Sequence, residues 1–100
     1  MILLKAQLTI KAEDRAAFLQ AMQTFVQASR AEEGCLSFDC YEDMTHPHYF
    51  IVLQTWEDEA ALQQHESSEH VAQFKSAIGA MIVSREPTLI YTVNQVNTLS

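Results

Sequence analysis

The stretch CLSFDCYEDMTHPHYFIVLQTW, residues 35–56, decides the fold. Its first half alternates, with Leu36, Phe38 and Cys40 on one side and Cys35, Ser37, Asp39 and Tyr41 on the other, the period of a strand. THP at 45–47 is the strong turn signal that follows, and it is short. A turn of that length joins antiparallel strands, because a parallel crossover needs about a dozen residues or more. In the second half, residues 48–57, both faces are apolar: Tyr49, Ile51 and Leu53 on one, Phe50, Val52 and Trp56 on the other. A strand of that kind is covered on both sides.

Outward from this hairpin the periods change. Residues 2–11, ILLKAQLTIK, alternate again: Ile2, Leu4, Ala6, Leu8 and Ile10 form an apolar face, and Lys5, Gln7, Thr9 and Lys11 a polar one. From residue 13 to 31 the spacing is helical, with Phe18, Met22, Phe25 and Ser29 as the stripe and Leu19 and Val26 widening it. Glu13 and Asp14 at the start and Arg30 near the end complement the helix dipole, and Gly34 follows in the C-cap region. Beyond the hairpin, Asp58 is placed to cap a short helix in which Ala61, Leu62 and His65 share a face. Ser67 and Ser68 interrupt and cap a second segment striped by Val71, Phe74, Ile78 and Met81. Glu86-Pro87 ends the helical region, and residues 88–93 read as a last strand.

The order β-α-β-β-α-β is the split βαβ pattern, an α+β ferredoxin-like fold with an antiparallel four-stranded sheet and helices on one face. The other face then needs a second layer that 100 residues do not supply. A second copy of the sheet is the economical cover, so a homodimer forming an α+β barrel is expected.

Composition agrees with a single domain over residues 1–100: 48% hydrophobic and 19% charged is the balance of an ordinary globular protein, not a disordered one. The net charge is −7, and the six basic side chains, Lys5, Lys11, Arg15, Arg30, Lys75 and Arg85, are scattered. Nucleic acid and anionic membrane surfaces, which bind through clustered cations, are therefore poor partners. No apolar run approaches the length of a membrane span or the core of a secretory signal. Cys35 and Cys40, at odd separation, are expected on opposite strand faces as unbridged thiols of a reducing cytoplasm.

The chain lacks a phosphate loop, a dinucleotide fingerprint and a nucleophile elbow. His65 and His70, five apart, would diverge on a straight helix, so no metal site is expected from their spacing. His65 lies on the apolar face of its helix, Trp56 closes the preceding strand, and Gln54 shares the Trp56 face. An imidazole, an indole and an amide could thus converge beneath the helices, a setting for a flat aromatic ligand with oxygen substituents. The competing reading is a core histidine bonded to a carbonyl, with the indole as packing. Gln7 and Thr9 are pocket groups if helices cover their face, and a solvated face otherwise. Tyr41, Tyr91 and the acidic runs 32–33 and 57–59 read as structural or solvated.

EEGCLSF at 32–38 and YFIVLQTWEDEAALQQHESSEHVAQF at 49–74 resemble the antibiotic biosynthesis monooxygenase family in order and spacing: a Glu-Gly-Cys entry to strand two, a Trp ending strand three, a His in the next helix. The resemblance implies a dimeric barrel of ferredoxin-like subunits, each with a pocket between helices and sheet. It implies oxygenation of electron-rich aromatics without metal or flavin, or haem degradation, or isomerisation of a phosphorylated sugar. The haem degraders' Trp falls at His65 and their His near Lys75, so that chemistry is not expected. The anthrone oxygenases' Asn and Tyr fall at Val52 and Leu62, so of that set only Trp56 carries over. The quinol-type members share a His at 65 and at 70 but usually carry Glu where this chain has Gln54.

The expected function is a cofactor-independent monooxygenase of a small hydroquinone-like or polyphenolic aromatic, with dioxygen as co-substrate. His65 would be the base, since an imidazole ordinarily titrates at about 6.5. Trp56 would stack on the ring, Gln54 and Gln7 would orient its oxygens, and Val52, Leu62 and Phe74 would complete the wall. The alternatives are an isomerase or tautomerase using the same base, and a non-enzymatic dimer that binds a metabolite.

Overall fold

The structure, a computed structural model, describes residues 1–100. The chain runs β1 (Ile2–Ile10), a 3-10 turn, α1 (Arg15–Arg30), β2 (Cys35–Glu42), β3 (Tyr49–Trp56), α2 (Glu59–Glu66), α3 (Glu69–Ile78), a second 3-10 turn, β4 (Ile82–Arg85) and β5 (Leu89–Thr92). The sheet is antiparallel in the order β2-β3-β1-β4, with β5 also on β1. This is the α+β ferredoxin-like arrangement, with the doubly apolar β3 in its interior.

The core lies between sheet and helices. Leu4, Leu8 and Ile10 of β1, Phe50, Val52 and Trp56 of β3, and Phe38 of β2 meet Phe18, Met22 and Phe25 of α1 and Val71 and Ile78 of α3. The α1 stripe is the one its periodicity predicts, and its fourth member, Ser29, is also buried. On the far face, Tyr49, Ile51 and Leu53 remain half-buried with no layer over them.

Several expectations need correction. The last strand, expected at 88–93, is β5, but a further strand, β4, occupies residues 82–85, which the sequence reading leaves in the helical region, so the sheet has five strands rather than four. β4 pairs with the Leu8–Ile10 end of β1 and β5 with its Ile2–Lys5 end, and the segment 86–88 between them contains Pro87, which has no N–H to give a ladder. The second helical segment also stops earlier, at Ile78, with Met81 in the 3-10 turn.

The alternation of β2 breaks at its start. Cys35 faces Trp56 and Ser37 faces Thr55, so a bulge lies between them. Leu36 is extruded and exposed rather than sharing the face of Phe38, and Cys35 takes its place against the core. An extra residue in one strand shifts every side chain before it to the other face. Both cysteines therefore face the helices, contrary to the odd-separation rule. They are nonetheless free thiols, since five residues of strand hold them roughly 15 Å apart, beyond bridging distance.

The caps are asymmetric. The Asp58 carboxylate accepts from Ala61 N at 2.9 Å, as its position predicts. Ser68 occupies the N-cap position of α3, but its hydroxyl donates back to the His65 carbonyl at 2.6 Å. That bond ends α2 and re-aims the chain, and the site depends on the change of direction.

Candidate functional site

Gly34 starts the construction. It adopts φ +84°, and a Cβ there would lie 2.5 Å from the Ala61 Cβ. Only glycine permits that backbone angle and that approach together. The contact presses the loop after α1 against α2. His65 lies one helical turn beyond Ala61, on the same face, and Glu32 lies two residues before Gly34. Glu32 and His65 are thereby brought together: His65 Nδ1 lies 2.5 Å from Glu32 Oε2. The break at Ser67-Ser68 then turns α3 so that His70 Nε2 reaches the same oxygen at 3.0 Å.

Two sequence expectations fail here. Glu32, read as a solvated helix end, is only 17% exposed at its side chain and holds two imidazoles. His65 and His70 converge rather than diverge, because the helix does not run straight from one to the other. The sequence marks Gly34 only as a glycine after a helix; that it presses against α2 and draws Glu32 in with it is a tertiary contact.

A carboxylate only accepts hydrogen bonds, so Nδ1 of His65 carries the proton and the lone pair is left on Nε2. His65 is 2% exposed, and it borders a cavity of about 150 Å³ between the helices and the sheet. Phe25 and Phe74, stacked at 4.0 Å between centroids, form one wall. Val52 and Met22 add apolar surface, and Gln54 is the other polar group of the interior. The mouth opens at the sheet edge where β4 gives way to β5, beside Lys75, Arg85 and Glu86.

Of the residues singled out in the sequence, His65, Gln54, Val52 and Phe74 line this cavity, and Gln7 borders its mouth. The Gln7 side chain is not beneath the helices: β1 turns it to the uncovered face, where Nε2 donates to Glu86 at 2.6 Å. Trp56 and Leu62 do not border the cavity. Trp56 is fully buried behind it, its ring 4.6 Å from that of His65 and edge-on to Phe38. The indole is thus no stacking platform for a ligand. It backs the imidazole, and its Nε1 donates to Gln54 Oε1 at 2.8 Å. Because an indole can only donate, the Gln54 oxygen is committed to it and the amide NH2 is left for the cavity. The interior therefore presents one acceptor, His65 Nε2, and one donor, Gln54 Nε2, within apolar walls.

No helix is long and apolar enough to cross a membrane. Residues 1–77 match the family described as "Antibiotic biosynthesis monooxygenase". The Bacillus subtilis protein named "Putative monooxygenase YcnE" is 40% identical over 74 residues, which is 74% of this chain and 78% of that protein. A crystal structure described as a putative antibiotic biosynthesis monooxygenase from Deinococcus radiodurans has a TM-score of 0.93 at 24% identity, covering 100% of this chain and 99% of that one. At that identity the likeness speaks for the fold. The crystal structure of PA3566 from Pseudomonas aeruginosa has a TM-score of 0.79 at 28% identity, covering 96% of this chain and 94% of that one. With its fold and more than half its length accounted for in this way, the chain belongs to the antibiotic biosynthesis monooxygenase family.

Proposed function

We propose that the protein is a cofactor-independent monooxygenase of a single-ring hydroquinone, working as a homodimer with dioxygen as co-substrate. The observation that carries the reading is the Glu32–His65 pair, which leaves an imidazole lone pair at a cavity with apolar inner walls and a polar mouth. Its volume, about 150 Å³, argues for one ring, since an apolar protein cavity of roughly that size takes up benzene.

Dioxygen is a triplet and reacts slowly with closed-shell molecules unless they give up one electron readily, as a phenolate does far better than a phenol. His65 Nε2 takes the phenolic proton, and the Glu32 carboxylate stabilises the imidazolium that results. The Gln54 NH2 donates to the oxygen on which negative charge develops. One electron passes to dioxygen, the two radicals combine at a ring carbon, and the oxygen–oxygen bond then breaks. For the parent compound, hydroquinone and dioxygen give hydroxyquinone and water. One oxygen atom enters the ring and the other leaves as water.

The homodimer is supported by the uncovered face of β3, where Tyr49, Ile51 and Leu53 stay half-buried. Exposed Leu89 and Tyr91 on β5 extend the same apolar surface.

The test is oxygen uptake with 2-methylhydroquinone. The wild type should consume oxygen above the rate of autoxidation, and the folded His65→Ala variant should not. Undiminished uptake in that variant removes the base from the mechanism. Binding of the quinol with no uptake makes the protein a non-enzymatic binder, and turnover of a ketonic probe under anaerobic conditions makes it an isomerase.

A further inference from the structure

Glu32, His65 and His70 belong to three separate elements, the loop after α1, α2 and α3, yet their ligating atoms all lie within 4.8 Å of one another. The carboxylate has no Lys or Arg beside it; its ion-pair partners are the two imidazoles alone. We propose that this junction is a binding site for a borderline divalent cation of the zinc type, in competition with the proton on His65 Nδ1.

The ligand chemistry selects the cation. Two imidazole nitrogens and one carboxylate oxygen are a three-ligand zinc set that leaves a fourth position for water. Mg²⁺ and Ca²⁺, which want several oxygens, are poorly served. The geometry needs a modest adjustment. A tetrahedral zinc ion with bonds of about 2.0–2.1 Å holds its ligands roughly 3.3 Å from one another. Here Oε2 stands 2.5 Å from one nitrogen and 3.0 Å from the other, with protons between them. The fixed member is His65, whose ring is held among Phe25, Phe38 and Trp56. The adjustable members are Glu32, in a loop, and His70, 28% exposed at the surface from which an ion would enter.

The exchange has a consequence for the cavity. A cation takes the Nδ1 lone pair of His65 and the Nε2 lone pair of His70, and each displaced proton moves to the other nitrogen of its own ring, Nε2 in His65 and Nδ1 in His70. The cavity then meets an N–H donor in place of an acceptor. The bound cation and the base are alternative states of one imidazole, so zinc would inhibit the oxygenation. That consequence rests on the function proposed above; binding itself does not.

The site is tested by calorimetric titration of the chelator-treated protein with zinc chloride. One site in the micromolar range is expected, weakened roughly tenfold or more in His70→Gln and in Glu32→Gln. The exposed Asp43–His46 pair is the other place a zinc ion could lodge, so His46→Gln should leave the affinity unchanged. Cobalt(II) should give the intense visible absorption of a tetrahedral N/O site, and magnesium should give no binding heat. Absence of any sub-millimolar zinc site overturns the proposal. So does a folded His70→Gln variant that binds zinc as tightly as the wild type, which remains decisive should Glu32→Gln fail to fold. The titration contains no quinol, so failure of this site and failure of the oxygenase reading are seen separately.

Discussion

His65 Nδ1 and Glu32 Oε2 stand 2.5 Å apart although 33 positions of sequence separate them. The contact determines which imidazole nitrogen faces the cavity. Replacing Glu32 by Gln offers Nδ1 an amide that can donate as well as accept, so the tautomer with the proton on Nε2 becomes available. Turnover of 2-methylhydroquinone by Glu32→Gln should fall by roughly 10²–10⁴, the usual worth of a general base, with little change in KM. Nitrogen-15 chemical shifts of the His65 ring check the cause: the wild type should show Nδ1 protonated, and the variant a shift toward Nε2.

Gly34 is the hinge of the same arrangement. Gly34→Ala places a methyl group into Ala61, 2.5 Å away, at a φ of +84°. The left-handed backbone and the overpacking together should cost about 2–4 kcal/mol in urea unfolding. Gly34→Ala combined with Ala61→Gly should recover the steric share and leave the backbone share. A double variant no more stable than the single one would show that the contact with α2 is not what demands glycine.

How much of this was legible in the sequence depends on the range of the forces involved. The first three strands, the α1 stripe and the Asp58 cap follow from local alternation, helical spacing and one side chain's reach, and each is where the sequence puts it. The bulge at Cys35–Ser37 was not legible, because it is a property of pairing with β3 and leaves no mark on the alternation of β2. β4 was not legible either, since residues 82–85 continue a stretch read as helical, and Pro87 marks only the place where β5 begins. At the site, His65 and Gln54 could be placed on inward faces by period alone. Glu32 and His70 could not: one arrives by a loop and the other by a helix break, and both depend on tertiary contacts that spacing rules do not contain. Trp56 shows the converse. Its face was read correctly, but whether a buried indole lines a hollow or fills the space behind it is decided by packing.

That indole has a measurable task. Its Nε1 is the partner of the Gln54 oxygen, and both residues are buried. Trp56→Phe keeps an aromatic ring but leaves the Gln54 carbonyl without a donor, which should cost about 1–3 kcal/mol for the orphaned group, with a further loss for the space vacated. The amide is then free to rotate, so kcat for the quinol should fall more than KM rises. If Gln54→Leu in the Trp56→Phe background restores stability but not kcat, the amide's work is at the cavity rather than in the core.

The cysteines should be slow to react. Burial pushes the Cys40 thiol up to about 11, with the nearby Glu42 charge acting in the same direction, and Cys35 is raised as well, first by burial and then by the Glu32 charge. The thiolate is the reactive form, so a disulfide reagent at pH 8 should label the native protein far more slowly than the urea-unfolded chain. Rapid labelling of Cys40 in the native state would mean that β2 opens readily at its α1 side.

The acid limb of stability should carry the mark of Arg15 and Glu42. The guanidinium at the start of α1 grips the carboxylate at the end of β2 through Nη2 at 2.6 Å and Nε at 3.2 Å, and His48 N donates to it at 2.9 Å. Arg15 first, and then the His48 amide, hold the Glu42 carboxyl down at about 2, against an ordinary value of 4.5. A group whose pKa is lower folded than unfolded stabilises the fold above its unfolded value and loses that contribution as pH falls toward the folded one. The loss should therefore run from about pH 4.5 down to about pH 2, the two values between which Glu42 binds a proton in the unfolded chain but not in the folded one. Both side chains are partly exposed, at 43% and 26%, so water and salt weaken the effect and it should shrink further at high ionic strength. Glu42→Gln should flatten the stability–pH curve across that window and leave the rest of it in place. Arg15→Gln should flatten it less, because the His48 amide still favours the charged carboxylate. Equal flattening by the two substitutions would assign the whole depression to the guanidinium. An unchanged acid limb in Glu42→Gln would place the acid sensitivity of this fold elsewhere.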